Sequence, residues 1–547
     1  MNSTNGLFRF IKKYADINFK KFYAGIIITV ISAFSALLFN SSVTPVVNSF
    51  SKGGLQYSKL ILPICLLIFD LIAGVISFYL LATVAYSAVM QIRKKLWRRY
   101  NFFSYMKLSE NSSGVLASRL VNDTNLISDV LSSSLPQLLT AGITIVGSFV
   151  MLLIISVKLT LALAVLLPIL AFILATISNK ISKYFAQTQK LTADANQIAV
   201  SILQSDIVIK SYVAEDKSTR LGDDIFSRIY GVARKQLKLI ALLNPLVSVL
   251  TMTMILSVMV LGFLSVSSGG MTIGALTSYI LYTFTLMAPL SNVTTAYANM
   301  AKMKDVVANL ERLFETPVED VEPGQQNLMD IESLEIVEGS FQYPGGHALY
   351  IPRLKIGEHE LIRLRGKNGS GKSTILKILA GMYDLDEGHF YINGIDRRDV
   401  NIFSFREHLA FVDQNSSMLP GSIRDNLLLG FDNPATVPDE KIWEALRQVE
   451  LYDFVMNLSD GLDTDIAENG GNFSGGQRQR LAIARALIAD CDFYFFDEIT
   501  SDLDQQTKEI IVTLMRYLHH VRNKTVVYID HDDISIDGER SITVNAD

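Results

Sequence analysis

Long apolar runs separated by basic, polar stretches occupy the first part of the chain, and this pattern ends near Glu315. Six runs stand out: Phe22 to Val47, Leu60 to Met90, Leu135 to Ser156, Leu159 to Ser178, Leu239 to Val266, and Ile273 to Val293. Each is long enough to cross a hydrocarbon core of ~30 Å as a helix. Beyond Glu315 the apolar residues fall into short strand-like groups, divided by glycine turns and amphipathic stretches. Thr316 to Asn327 holds Pro317, Pro323, Gly324 and several acids and reads as an exposed linker. The pattern predicts an α-helical transmembrane bundle over 1–315, a linker over 316–327, and one α/β domain over 328–547.

Composition strengthens the membrane reading. Hydrophobic residues make up 49% of the 547 positions, charged residues only 19%, and the mean hydropathy is +0.29. The net charge of -5 argues against a nucleic-acid partner. Cys65 and Cys491 have no metal-ligand spacing and cannot build a disulfide framework. All seven histidines lie at or after His347, which argues against a histidine relay or metal site in the apolar half. Lys12, Lys13, Lys20 and Lys21 precede a first run too long for a signal peptide, so it reads as a span. Basic residues concentrate in Met1–Lys21, Gln91–Leu131 and Asn179–Lys238, which places both termini in the cytoplasm of a multi-pass protein of the bacterial cell membrane. The two long inner segments read as helical extensions of the spans below the bilayer; lipid anchoring is the competing reading for Arg93–Arg99.

The α/β part carries the chemistry. Gly366-Lys367-Asn368-Gly369-Ser370-Gly371-Lys372-Ser373-Thr374 follows an expected strand, Leu361 to Arg365, and opens an expected helix, Ile375 to Leu379. Glycines there let backbone N–H groups converge on phosphate oxygens at the positive end of a helix. Lys372 adds a point charge for the β/γ-phosphates, and the Ser373 hydroxyl suits Mg²⁺. Further on, Phe493-Tyr494-Phe495-Phe496 reads as a strand buried on both faces, ending in Asp497 and Glu498. Buried adjacent acids are costly without a cation. Asp497 is expected to support the magnesium shell, and Glu498 to orient or deprotonate an attacking water.

Between these two elements lies Asn472-Phe473-Ser474-Gly475-Gly476-Gln477-Arg478-Gln479-Arg480. With this string, the C-terminal half resembles the nucleotide-binding domain of ABC transporters, and the whole chain resembles an exporter-type half-transporter. The resemblance implies that Ser474, Gly475, Gly476 and Gln477 form the signature motif, with Phe473 where the family usually has Leu. It implies that Gln414 is the Q-loop glutamine on Mg²⁺, Asp504 the D-loop aspartate, His531 the switch histidine on the γ-phosphate, and Tyr343 the aromatic that stacks on adenine. Glu468 resembles the exporter-specific segment. In the family each ATP lies between one subunit's phosphate loop and the other's signature. The expected partner is therefore a second copy or a related half-transporter. Only sixteen residues follow His531, fewer than the family usually has, so dimer contacts made by a longer tail are in doubt.

The membrane half is less legible. Gly114 to Asp123 and Gln204 to Ala214 resemble the regions of the two coupling helices. Asp70 sits inside the second span as a candidate for cargo or gating, or as an acid paired with a neighbouring helix. Asn244-Pro245 and Pro289 suggest helix irregularities. Phe263, Tyr279, Tyr282, Phe284 and Met287 could line a cavity, although packing or lipid contact is the commoner role of such stripes. The expected function is ATP-driven export. Peptides (bacteriocin-like or modified), hydrophobic drugs and lipids all stay open as cargo. An ATP-gated channel or sensor, or a soluble ATPase of the same class, is the alternative.

Overall fold

The computed structural model describes residues 2–51, 54, 56–110, 113–319, 325–343, 346, 348–467, 470–499, 505–530 and 535–544. His531, Asp504 and Glu468, and the side chains of Asn244 and Met287, lie outside the described residues. The chain forms two compact units. One is 1–96 with 117–314; the other is 97–116 with 315–547. The stretch Trp97–Leu116 thus belongs to the second unit, which the apolar pattern does not reveal.

The first unit is helical. An amphipathic helix, α1 (Asn2–Tyr14), precedes α2 (Phe19–Ser51), α3 (Ile61–Asn101), α4 (Leu135–Ile155), α5 (Val157–Gln204), α6 (Glu215–Ser267) and α7 (Ile273–Glu315). Each of the six apolar runs lies within one of these helices, except that the second begins in the short turn Tyr57–Leu60 and the third ends at Ser156, one residue past α4. Among the described residues, four helical stretches are long and apolar enough to cross a membrane: Phe19–Ser51, Tyr57–Asn101, Ser113–Ile155 and Glu215–Ser267. The helices α6 and α7 run on through Pro245 and Pro289.

Polar side chains face inward in this unit. Asn40 Nδ2 donates to Thr285 Oγ1 at 2.9 Å, Thr44 and Ser278 hydroxyls are 2.7 Å apart, and Gly274 N–H donates to Asn48 Oδ1 at 2.9 Å. These bonds form a seam between α2 and α7. A Cβ on Gly274 would stand 2.2 Å from the Thr44 carbonyl oxygen, so glycine is what lets the two backbones approach. Tyr279 and Tyr282, the candidate cavity aromatics, are fully buried. Tyr282 donates to the Leu37 carbonyl at 2.6 Å, and the Tyr279 hydroxyl lies 3.1 Å from Thr160 Oγ1, so both serve helix packing. Phe263 and Phe284 are exposed. Asp70 is half-buried and accepts a 2.5 Å bond from Ser32 of α2, the neighbouring helix.

The second unit holds two main sheets. Strands β1 (Ser333–Gln342), β2 (Ala348–Gly357), β4 (Glu387–Ile392) and β5 (Ile395–Asp396) make an antiparallel sheet in the order β2-β1-β4-β5. Strands β3 (Leu361–Arg365), β6 (Leu409–Val412), β9 (Phe493–Asp497), β10 (Thr525–Ile529) and β11 (Arg540–Thr543) make a parallel sheet in the order β11-β3-β10-β9-β6. A short ribbon joins β7 (Gly421–Ser422) and β8 (Asp465–Ile466). All five residues of β9 and of β10 are buried, as expected for central parallel strands covered on both faces. The described ends of the predicted linker are tied down. Glu319 holds Arg406 through two bonds, of 2.6 and 2.9 Å, and Gln326 N–H donates to the Asp399 carbonyl at 2.8 Å.

Candidate active site

Parallel strands deliver their C-terminal ends to one edge of the sheet, and the candidate residues follow those ends. The chain leaves β3 through Gly366 to Gly371 and enters α8 (Lys372–Leu379). Gly371 has φ +94°, and a Cβ there would meet Leu349 at 2.7 Å, so a larger residue would be strained and crowded. This turn leads directly into the first residues of α8, where backbone N–H groups have no helical partner. Lys372 is largely buried, and its ammonium donates to the Gly366 and Lys367 carbonyls at 3.1 and 3.2 Å. Ser370 Oγ is buried without a hydrogen-bond partner among the described residues. A phosphate oxygen would supply one.

The neighbouring strand supplies the acids. Ser373 Oγ donates to Asp497 Oδ1 at 2.8 Å. Asp497 is only 4% exposed, and burial pushes its carboxyl above the ordinary range, with Asp413 and Glu498 adding repulsion. Glu498 has φ +52°, the left-handed region that non-glycine residues avoid, and its N–H donates to the Ile529 carbonyl at 3.2 Å. Backbone strain of this kind is concentrated at functional sites. Among the described residues no group of three or more His, Cys, Asp or Glu could hold a metal ion by itself. A hydroxyl and one carboxylate do fit Mg²⁺, which keeps oxygen ligands from nucleotide and water.

Gln414 is exposed two residues past β6. Tyr343 is 39% exposed. Its ring lies edge-on to Phe341 and Tyr383, and its hydroxyl is 3.3 Å from Thr374 Oγ1. The structure therefore links Tyr343 to Thr374 and Ser373 to Asp497, while Asn368 and Gly369 sit exposed at the loop tip. Ser474 caps α9 (Gly475–Ala489): its Oγ accepts from Gln477 N–H at 3.2 Å, and Gln477 Oε1 accepts from Ser474 N–H at 2.8 Å. Ser474 and Gly475 are exposed, so the positive end of α9 opens to solvent. No hydrogen bond among the described residues joins this cap to the phosphate loop. Asp413 escaped the sequence reading, and Gln479 stood there only as part of the signature string. Asp413 contributes to the acidic field around Asp497, and its only signal was adjacency to Gln414. Gln479, buried in α9, donates its side-chain amide to the Ile499 carbonyl and so ties the signature helix to the chain beside Glu498.

Comparison with known proteins decides the family. Residues 22–290 match the model of the ABC transporter transmembrane region, and 351–501 match the ABC transporter model. An ATP-dependent lipid A-core flippase from Vibrio vulnificus is 30% identical over 481 residues, covering 85% of this chain and 80% of that protein. This chain belongs to the ABC transporter family. A multidrug resistance ABC transporter ATP-binding and permease protein from Lactococcus lactis subsp. lactis is 28% identical over 511 residues, covering 93% of this chain and 86% of that one. The structure of a bacterial Atm1-family ABC exporter with ATP bound shares the fold, with a TM-score of 0.78, 22% identity, and coverage of 97% and 94%. The ABC transporter described here is thus a half-transporter, with a membrane domain and an ATPase domain on one chain. It couples ATP hydrolysis to transport.

Proposed function

We propose that two copies of this chain form an exporter of the cytoplasmic membrane, with both termini inside and two ATP sites shared between the subunits. The observation that carries this reading is the Ser373–Asp497 bond beside the Lys372 loop, together with a signature cap that opens to solvent. The loop from Gly366 to Thr374 and the Lys372 ammonium bind the phosphates, and Tyr343 stacks on adenine. Ser373, Asp497 and Gln414 would hold Mg²⁺, which neutralises phosphate charge when bound. Glu498 orients or deprotonates the attacking water, and His531 contacts the γ-phosphate. Ser474 to Gln477 and Asp504 complete the other subunit's site. Closure of both sites turns the membrane domain outward, and hydrolysis resets it.

The cargo is proposed to be an amphiphile with a large apolar body. The named relatives support this: one is a multidrug resistance ABC transporter and another an ATP-dependent lipid A-core flippase. Glu498→Gln should lower kcat by about 100-fold or more while leaving ATP binding intact. Turnover at the wild-type rate would sink the role of Glu498. Inside-out vesicles should accumulate a fluorescent hydrophobic cation only with ATP. Movement of labelled lipid alone would favour the flippase reading, accumulation of a labelled peptide a peptide exporter, and flux without ATP hydrolysis a channel.

A further inference from the structure

A buried charged cluster lies in the parallel sheet beside the candidate site. Arg363 is the middle residue of β3, aligned with Tyr528 of β10 and Ser541 of β11. Its side chain is 3% exposed; those of Asp530 and Glu539 are 3% and 8% exposed. The guanidinium stands 4.0 Å from Asp530 Oδ2 and 3.9 Å from Glu539 Oε1, and Arg365 Nη2 lies 3.3 Å from the same Glu539 oxygen. Glu539 Oε2 accepts from the Tyr528 hydroxyl and, at 3.1 Å, from the Ile536 N–H. Apolar residues would serve a central strand at least as well, because burying charge is costly and a buried ion pair is weak support for stability. Its best-attested use is to specify one conformation.

The placement says which conformation. Tyr528 and Asp530 precede residues 531–534, and Ile536 follows them. One carboxylate therefore grips the chain on both sides of the segment that carries His531, and Arg363 grips that carboxylate from the strand that leads into the phosphate loop. We propose that Glu539 and Arg363 form a clasp that fixes both flanks of residues 531–534, making them positioning residues for ATP hydrolysis. This inference rests on the reading of His531 given above. It goes beyond that reading in naming what holds the segment relative to the phosphate loop.

The test uses the full chain in lipid nanodiscs. Glu539→Gln keeps shape and removes charge, Arg363→Met removes the other half, and Glu539→Asp is the conservative rescue. Glu539→Gln and Arg363→Met should each lower kcat about 10- to 100-fold with the ATP KM within about twofold, as misplacement of a reacting group does. Glu539→Asp should recover part of the loss. Hydrogen exchange should quicken in the peptide spanning 531–538 and stay unchanged over 366–374. In a His531→Ala background, followed by radiolabelled ATP, Glu539→Gln should add nothing. An equal loss in both backgrounds, or a rise in KM that accounts for the whole defect, would overturn the clasp and leave His531 in its role. Wild-type kcat in His531→Ala itself would overturn the reading of His531, and the clasp with it. Should Glu539→Gln fail to fold, Tyr528→Phe removes one bond at the same carboxylate. It should lower kcat about threefold, and unchanged kcat and exchange would reject the clasp.

Discussion

The two units of this transporter bury opposite kinds of residue. In the membrane unit Asn40, Ser278 and Thr283 are almost wholly buried, while Ile61, Leu71 and Phe78 are more than half exposed. In the nucleotide unit Phe493, Phe495, Val527 and Ile529 are buried, and charged residues line the surface. The difference follows from the solvent. Lipid tails are as apolar as a leucine, so helices there gain by hydrogen bonding and close packing with one another. In water, apolar burial dominates and polar groups stay outside unless they are paired. The nucleotide unit departs from its own rule at Asp497 and around Arg363. Asp497 lies at the candidate active site, and the Arg363 cluster lies beside it.

Deleting matched groups from the two units tests this contrast. Phe495→Ala should have the largest effect, about 3–5 kcal/mol, because it removes a fully buried ring and leaves a cavity; denaturant unfolding of the nucleotide unit within the full chain would read it. A loss below about 1 kcal/mol would show that this core is more plastic than the packing implies. Gly274→Val should come next, at roughly 1–3 kcal/mol, since the added carbons drive the Thr44 carbonyl away and part α2 from α7. Its readout is the thermal midpoint in detergent micelles. The Asn40–Thr285 bond should be worth only about 0.6 kcal/mol in a double-mutant cycle, the usual value for such bonds in membranes. A coupling several times larger would mean that the seam depends on few contacts.

The smallest shift should have the opposite sign. Burial raises the Asp497 pKa, so the folded, ligand-free protein holds this proton more tightly than the unfolded chain does. Its contribution to stability is full below the unfolded pKa and is lost as pH rises through the raised one. Asp497→Asn should therefore raise the thermal midpoint of the ligand-free protein at neutral pH and flatten its decline from acid to neutral pH. The same variant should lose Mg²⁺-dependent hydrolysis. A lowered midpoint would show that the carboxylate is held by partners, with burial secondary.

Much of the nucleotide unit was legible in advance. Strand β3 runs from Leu361 to Arg365 as expected, and β9 covers the Phe493–Phe496 aromatic run and one residue more, because a central parallel strand needs no polar face. The phosphate loop and the acid pair could be read because glycine spacing and adjacent acids are local features. The α-helical and α/β classes and the family itself followed from the same local patterns. Other features involve residues far apart in sequence. Gln479 meets Ile499 only because α9 packs against the chain leaving β9. The strained φ of Glu498 is imposed by the sheet end, and no residue type announces it. For Asp70 the sequence left a cargo or gating role open beside pairing with a neighbouring helix, and only the fold showed Ser32 of that helix donating to it.

By itself, the sequence determined which segments are apolar, where the phosphate loop and acids lie, and that one chain joins a membrane half to an ATPase half. Periodicity, glycine spacing and runs of like residues are enough for that, since each acts over one turn or one strand. Tertiary structure alone decided that Trp97–Leu116 belongs with the nucleotide unit, although its first residues continue the helix that carries the second apolar run. It alone paired Asn40 with Thr285 and Arg363 with Glu539, because partners across a bundle or a sheet are chosen by backbone placement. Hydropathy records only that a residue is polar; which polar group it meets depends on how the helices and strands come together.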